Sequence, residues 1–292
     1  MQTSIGSTGI TTSVLALGCA RIGSTLTALN RRQSLALIDE AYELGVRHFD
    51  TASIYGQGDS ERYLGEALRK RRGGVCLASK AGQRLTPRQA LLAHFKTPIR
   101  MFAARRSAFR ERVAEQRARA LPHCFDADYI ARSLDATLRR LRVEHLDVFY
   151  LHSPDASVLA DERLIDRIGA LQRTGRFRAF GVSCDEPEVA RVAAALESVQ
   201  VVQLALEDTS ESRDVLNVLA ARGKTAIVRG LVARAAPASD PGVPLAERFA
   251  RALTLPAVGG IIVGTTNVAH LRENIAALAS TTRRGMGNAA AR

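Results

Sequence analysis

Three apolar runs end in a residue that can carry or receive a proton. Gly45-Val46-Arg47-His48-Phe49 ends at Asp50, Val75–Ser79 at Lys80, and Leu146–Leu151 at His152. A fourth such group, Tyr55, lies five residues beyond Asp50 in a glycine-rich turn, Tyr55-Gly56-Gln57-Gly58-Asp59. A phenol has a pKa of ~10, and a nearby ammonium favours its ionised form. An aspartate beside Lys80 would hold the amine in place and charged, and a histidine would orient a carbonyl oxygen by hydrogen bonding. Brought together, these groups would donate a proton to an oxygen on which negative charge is developing, as happens when a carbonyl accepts hydride. Without that chemistry, the same residues read as a buried ion pair, a packing tyrosine and a core histidine.

The surrounding pattern decides whether they meet. Residues 3–17 read as a β-hairpin turning at Ser7-Thr8-Gly9, with Val14–Leu17 leading into Gly18. Beyond it, apolar runs at 46–50, 75–79, 146–151, 177–182, 199–202, 225–228 and 259–263 predict strands. Helical periodicity predicts helices over 34–44, 60–72, 128–141, 161–173, 186–196, 213–221, 245–253 and 267–279. With Val14–Leu17 as the first strand, eight strands alternate with eight helices. Near-continuous apolar runs suit strands buried on both faces. The fold class predicted is therefore α/β, a (β/α)8 TIM barrel whose chemistry sits at the C-terminal ends of the strands. It carries an N-terminal β-hairpin and a basic helical insertion after strand 3. An open doubly wound sheet would want a glycine-rich phosphate loop. Gly56-x-Gly58 is the one candidate, and Glu61 stands where its third glycine belongs. Residues 1–292 read as a single domain, with 94–123 as the insertion and 281–292 as a flexible tail.

Composition excludes several classes. No apolar run approaches the ~18 residues of a membrane span. The first residues show no basic and apolar leader pattern, and Cys19, Cys76, Cys124 and Cys184 form no C-x-x-C, so a reduced, cytoplasmic protein is expected. No metal-ligand spacing is present; His48 and His145 read as strand-end or surface residues and His123-Cys124 as loop. The net charge of +12 raises a nucleic-acid partner, but residues 94–123 alone hold eight Lys/Arg against Glu111 and Glu115, and only 5% of residues are aromatic. Neither nucleic acid nor membrane is expected as a partner, and the sequence does not speak to oligomeric state. Within the basic stretch, Phe102, Phe109 and Val113 form a narrow apolar stripe. It reads either as a solvated excursion or as a basic lid over the substrate mouth.

Phe49-Asp50-Thr51-Ala52-x-x-Tyr55-Gly56-x-Gly58-x-Ser60-Glu61-x-x-Leu64-Gly65-Glu66-Ala67-Leu68 resembles the signature of the aldo-keto reductases. Asp147–Pro154, Gly181-Val182-Ser183 and Val263-Gly264-Thr265-Thr266-Asn267-x-x-His270-Leu271-x-Glu273-Asn274 match in order. The resemblance covers about 5–279 and is interrupted at 94–123. It implies an enzyme, a reductase or dehydrogenase for an aldehyde, ketone or sugar. Tyr55 would be the general acid/base, tuned by Asp50 and Lys80, with His152 orienting the carbonyl. It also implies NADP(H), with NAD(H) as the alternative, bound extended along the barrel mouth. Ser183 and Gln203 would hold the nicotinamide carboxamide, and Gly230 and Leu231 would face the pyrophosphate. Gly264, Thr265, Thr266, Asn267, His270, Glu273 and Asn274 would surround the adenosine end. That last group also opens a helix, whose free N–H groups bind phosphate or are simply capped by Thr266 or Asn267.

Some positions depart from the family pattern. Cys184 replaces an asparagine, no aromatic residue follows Gln203, Ile227–Leu231 replaces a Tyr-Ser-Pro-Leu run, and His270 stands where arginine is common. They leave open a non-catalytic, nucleotide-sensing binding protein on the same barrel. A lyase or aldolase forming a Schiff base on Lys80 is a third class.

Overall fold

The computed structural model describes residues 1–24, 29–84, 121–207, 209–232 and 242–289, with side chains to 281. Most of the basic segment 94–123, and with it the expected lid, lies outside the described residues.

Alternation along each strand sorts its side chains onto two faces. On β5 (Cys76–Ala81), Cys76, Ala78 and Lys80 share one face and Leu77 and Ser79 the other; on β6 (Leu146–His152), Val148, Tyr150 and His152 oppose Phe149 and Leu151. One set, with Ala16, Ala179, Val201, Ile227 and Ile262, forms an inner apolar cluster; the other packs outward against helices. Two-sided burial needs both faces of the sheet covered, and a sheet closed on itself with helices outside meets that need. Eight parallel strands meet that requirement: β3 (Leu15–Gly18), β4 (His48–Asp50), β5, β6, β7 (Phe177–Cys184), β8 (Val201–Ala205), β9 (Thr225–Arg229) and β10 (Val258–Val263), with β10 paired back to β3. The expected (β/α)8 barrel is present. The inner face needs a small residue where Tyr150 crosses the lumen. Gly181 supplies it, for a Cβ there would lie 2.6 Å from the tyrosine ring.

Two further strands form the expected hairpin, β1 (Gln2–Ile5) and β2 (Ile10–Ser13). Their facing residues Ile5 and Ile10 are buried and join the inner cluster, and Gly6 N–H donates to Thr225 Oγ1 at 2.6 Å, where β9 begins. The hairpin therefore plugs the N-terminal end. Beside it, Asp147 accepts from Leu77 N–H at 2.8 Å and pairs with Arg72 and Arg178.

Outside run α1 (Arg31–Glu43), α2 (Asp59–Ala67), α3 (Ala127–Leu141), the short α4 (Ala156–Leu159), α5 (Glu162–Arg173), α6 (Pro187–Ala195), α7 (Ser210–Ala221), α8 (Leu245–Thr254) and α9 (Val268–Ala289). Several starts carry side-chain caps, including the reciprocal Asn30/Gln33 box on α1 and Asp126 on α3. Several boundaries differ from expectation, three of them informatively. Helix α2 gives way to a 3-10 segment at Arg69–Gly74, β8 starts at Val201, and α9 continues ten residues past 279 into the expected tail, which contains no proline to stop it.

His48 also differs. It is wholly buried, and neither ring nitrogen has a partner. Its strand is three residues long, and sharing a face with Asp50 turns it into the lumen. Burial lowers its pKa to about 4, over the opposing pull of Asp50 and Asp147. The unfolded chain therefore binds a proton that the folded chain refuses, so this contribution is whole above pH ~6.5 and is lost as pH falls toward 4. Between pH 7 and pH 5, His48→Leu is expected to lose about 2 kcal/mol less unfolding free energy than the wild type. Urea titrations at the two pH values measure this; equal losses would remove His48 as the acid-sensitive group.

Candidate active site

The site begins with a charge that the fold must neutralise. Lys80 and Asp50, on adjacent strands, are 1% and 4% exposed. Lys80 Nζ donates to Asp50 Oδ2 at 2.5 Å and to the Thr51 carbonyl at 2.9 Å. The other oxygen, Asp50 Oδ1, accepts from Gln203 Nε2 at 2.9 Å, and Gln203 Oε1 accepts from Ser183 Oγ at 2.8 Å. His152, Ser183 and Gln203 are consecutive register partners across β6, β7 and β8. One hydrogen-bonded chain thus runs from Ser183 to Lys80 across the C-terminal mouth.

Tyr55 reaches this mouth from a turn with an unusual backbone. Gly56, Gln57 and Gly58 all have positive φ (55, 56 and 87°), a region that favours glycine at two of the three places. The turn is tied down behind. Ser60 Oγ lies 2.8 Å from Thr51 Oγ1 and donates to the Cys19 carbonyl at 3.0 Å. Glu61 is fully buried; it accepts from Ser79 Oγ at 2.7 Å and Thr137 Oγ1 at 2.9 Å, and pairs with Arg140 Nε. The residue that spoils a phosphate-loop pattern is the bolt joining α2, β5 and α3.

Lys80 Nζ is 5.4 Å from the centroid of the Tyr55 ring, and His152 meets that ring edge-on at 5.8 Å and 85°. The four residues expected to converge do so. Their protonation differs from expectation in one respect. Burial raises the pKa of the Tyr55 phenol and outweighs the downward pull of Lys80 and Arg229. Lys80 stays charged: burial works against it, but Asp50 and Tyr55 outweigh burial and raise its pKa. His152 is held neutral by burial first and then by Lys80 and Arg229, and its buried Nδ1 has no partner. The arrangement presents a protonated phenol, a fixed ammonium and a neutral imidazole at one mouth. It can donate a proton to an oxygen and stabilise the phenolate left behind. The buried thiols are unsuited to nucleophilic work, since burial pushes Cys19 and Cys76 up and Cys184 to about 12.

The donor set fits a nicotinamide dinucleotide. Gln203 keeps a second N–H, and Ser183 Oγ keeps lone pairs, beside Asp50. Gly230 and the buried Leu231 follow the end of β9. The turn Gly264-Thr265-Thr266-Asn267 opens α9, and a Cβ at Gly264 would meet nothing within 4 Å. Here Thr265 Oγ1 accepts from Asn267 N–H at 3.0 Å, and Asn267 Oδ1 from Ala269 N–H at 2.8 Å, so both side chains cap the helix. Gly264, His270 and Glu273 are exposed; Thr266 is half-buried, and Asn274 is buried on the face shared with Leu271 and Leu278. Among the described residues, no group of three or more His, Cys, Asp or Glu could hold a metal, and no helix is long and apolar enough to cross a membrane.

Two residues near the site were not singled out in the sequence. Thr51 meets Lys80 through its backbone carbonyl, which no side-chain pattern reveals. Arg229 lies close enough to affect Tyr55, His152 and Cys184; its place at the end of an alternating strand was the available signal.

Residues 14–239 match the model of the aldo/keto reductase family. The chain belongs to that family. Among curated relatives, it is 27% identical to pyridoxal 4-dehydrogenase of Microbacterium luteolum over 78% of this chain and 69% of that protein. It is 24% identical to the uncharacterized oxidoreductase YqkF of Bacillus subtilis over 94% and 89%. Among solved structures, the aldo-keto reductase candidate PA4992 from Pseudomonas aeruginosa superposes with a TM-score of 0.76 at 25% identity, covering 97% and 96% of the two chains. A Bacillus halodurans aldo-keto reductase in its holo form shares the fold, with a TM-score of 0.74 at 21% identity over 95% and 90%.

The buried pair predicts a particular mutational pattern. Lys80→Met strands a buried carboxylate and is expected to destabilise this aldo/keto reductase by about 3–5 kcal/mol. Asp50→Asn combined with Lys80→Met removes both charges and is expected to recover at least half of that loss. Chemical denaturation of both variants measures the cycle, and a double variant no more stable than Lys80→Met would contradict charge burial as the cause.

Proposed function

We propose that this aldo/keto reductase is a nicotinamide-dependent oxidoreductase, using NADP(H) by preference, for an aldehyde, ketone or sugar hemiacetal. The observation that carries the reading is the protonated Tyr55 phenol set between a locked Lys80 ammonium and a neutral His152. Ser183 and Gln203 would hold the carboxamide of the dinucleotide, Gly230 and Leu231 would flank its pyrophosphate, and the Gly264–Asn274 segment would meet its adenosine end. A bound reduced nicotinamide supplies hydride to the carbonyl carbon.

The protein's own part is proton management. A neutral imidazole donates a hydrogen bond to the carbonyl oxygen without competing for the proton. Tyr55 gives its proton to that oxygen as charge develops. The phenolate that remains faces Lys80, whose charge Asp50 secures, and Gln203 keeps Asp50 from turning away. In the oxidation direction the same phenolate takes a proton from an alcohol or hemiacetal hydroxyl.

A panel of carbonyls with NADPH and of alcohols and sugars with NADP⁺, followed by nicotinamide absorbance, tests the activity. Tyr55→Phe is expected to lower turnover by ~10²-fold or more while the protein still binds NADPH. Turnover near the wild-type value in that variant would exclude Tyr55 as the acid. The raised phenol pKa adds a pH signature. Reduction is expected to hold its rate through the neutral range and to decline only in strong alkali, as the acid form is lost. A decline beginning near pH 8 would indicate a lowered phenol instead.

A further inference from the structure

The mouth carries a second cation that the proton-transfer scheme does not use. Arg229 is the last residue of β9, on the inward face shared with Ile227, and its carbonyl accepts from Leu206 N–H at 3.1 Å. Lys80 is already neutralised by Asp50. Arg229 has a separate counterion, Asp185, just beyond the end of β7, and the pair spans the mouth over β8. The two members differ from the buried pair below them. The side chains of Arg229 and Asp185 are 36% and 61% exposed, against 1% and 5% for Lys80 and Asp50. An exposed ion pair contributes little to stability and is readily exchanged, whereas a guanidinium receives a carboxylate through two parallel hydrogen bonds. Arg229 stands on the same rim, and its charge helps to lower the pKa of both Tyr55 and His152.

From this juxtaposition we infer that Arg229 anchors an anionic group, of the carboxylate class, on the carbonyl substrate. Asp185 occupies the guanidinium until such a substrate arrives. The inference rests on the carbonyl-oxidoreductase reading and adds the substrate class to it: an aldehyde or ketone carrying an acidic group near the reacting carbon.

The test compares 4-carboxybenzaldehyde with its neutral counterpart methyl 4-formylbenzoate in the full chain, using the ratio of their kcat/KM values. Any general effect of a substitution on Tyr55 cancels in that ratio. Arg229→Gln is expected to lower the acid-to-ester ratio at least tenfold, chiefly through KM. Asp185→Asn releases the guanidinium and is expected to raise the same ratio severalfold. A purely structural ion pair would move both variants in the same direction, and that result, or no movement in either, overturns the inference. The chain has no tryptophan, so the emission of NADPH itself reports its binding. If Arg229→Gln weakens NADPH binding and leaves the ratio intact, Arg229 serves the dinucleotide and the inference fails. If wild-type protein turns over neither aldehyde, the proposed activity fails for this substrate class, and calorimetric titration with 4-carboxybenzaldehyde decides the anchor alone. A tenfold or greater loss of affinity in Arg229→Gln supports it, and equal affinity overturns it.

Discussion

The Asp50–Lys80 pair sets the terms for the rest of the molecule. Two opposite charges buried in the lumen are tolerated only if they face each other and their remaining hydrogen-bonding capacity is met. Adjacent strands β4 and β5 bring them together, the Thr51 carbonyl takes a second ammonium hydrogen, and Gln203 takes the second carboxylate oxygen. Because Gln203 comes from β8, the pair also ties opposite walls of the barrel. The electrostatics of Tyr55 follow from this arrangement: the charge beneath it is fixed, so the phenol's protonation is set by burial.

Much of the architecture was legible because a barrel writes itself into sequence twice. Apolar runs mark strands buried on both sides, and a polar residue closing such a run marks the open end. Asp50, Lys80 and His152 are legible that way, and Tyr55 from the glycine-rich turn that follows Asp50. What could not be read depends on closure. His48 precedes Asp50 by two residues in a run of three, and nothing local says that both face a sealed lumen. The direction of the Tyr55 shift is not legible either, because an ammonium nearby is visible in sequence, whereas desolvation is a property of everything around the ring.

The same limit applies to Glu61. Its place in a Gly-x-Gly context suggested a failed phosphate loop, yet its carboxylate joins Ser79, Thr137 and Arg140 across 18, 76 and 79 positions of sequence. A residue that answers to three distant partners has no local signature. Its consequence is local all the same, since Ser79 and Lys80 are neighbours on β5, one facing Glu61 and the other Asp50. The strand is thus held from both faces at the point where the candidate chemistry sits.

The hairpin plug gives the molecule a back and a front. Ile5 and Ile10 seal one end, the candidate site opens at the other, and the hairpin turn at Ser7 is exposed. Cys19, Cys76 and Cys184 are buried and Cys124 is half-buried, so a cysteine introduced at position 7 would be the most accessible thiol among the described residues. Thiol coupling to an electrode or bead through that position would set every molecule with its closed end against the support and its mouth toward the solution. A labelling dye placed there would report on tumbling while staying a full barrel length from the chemistry.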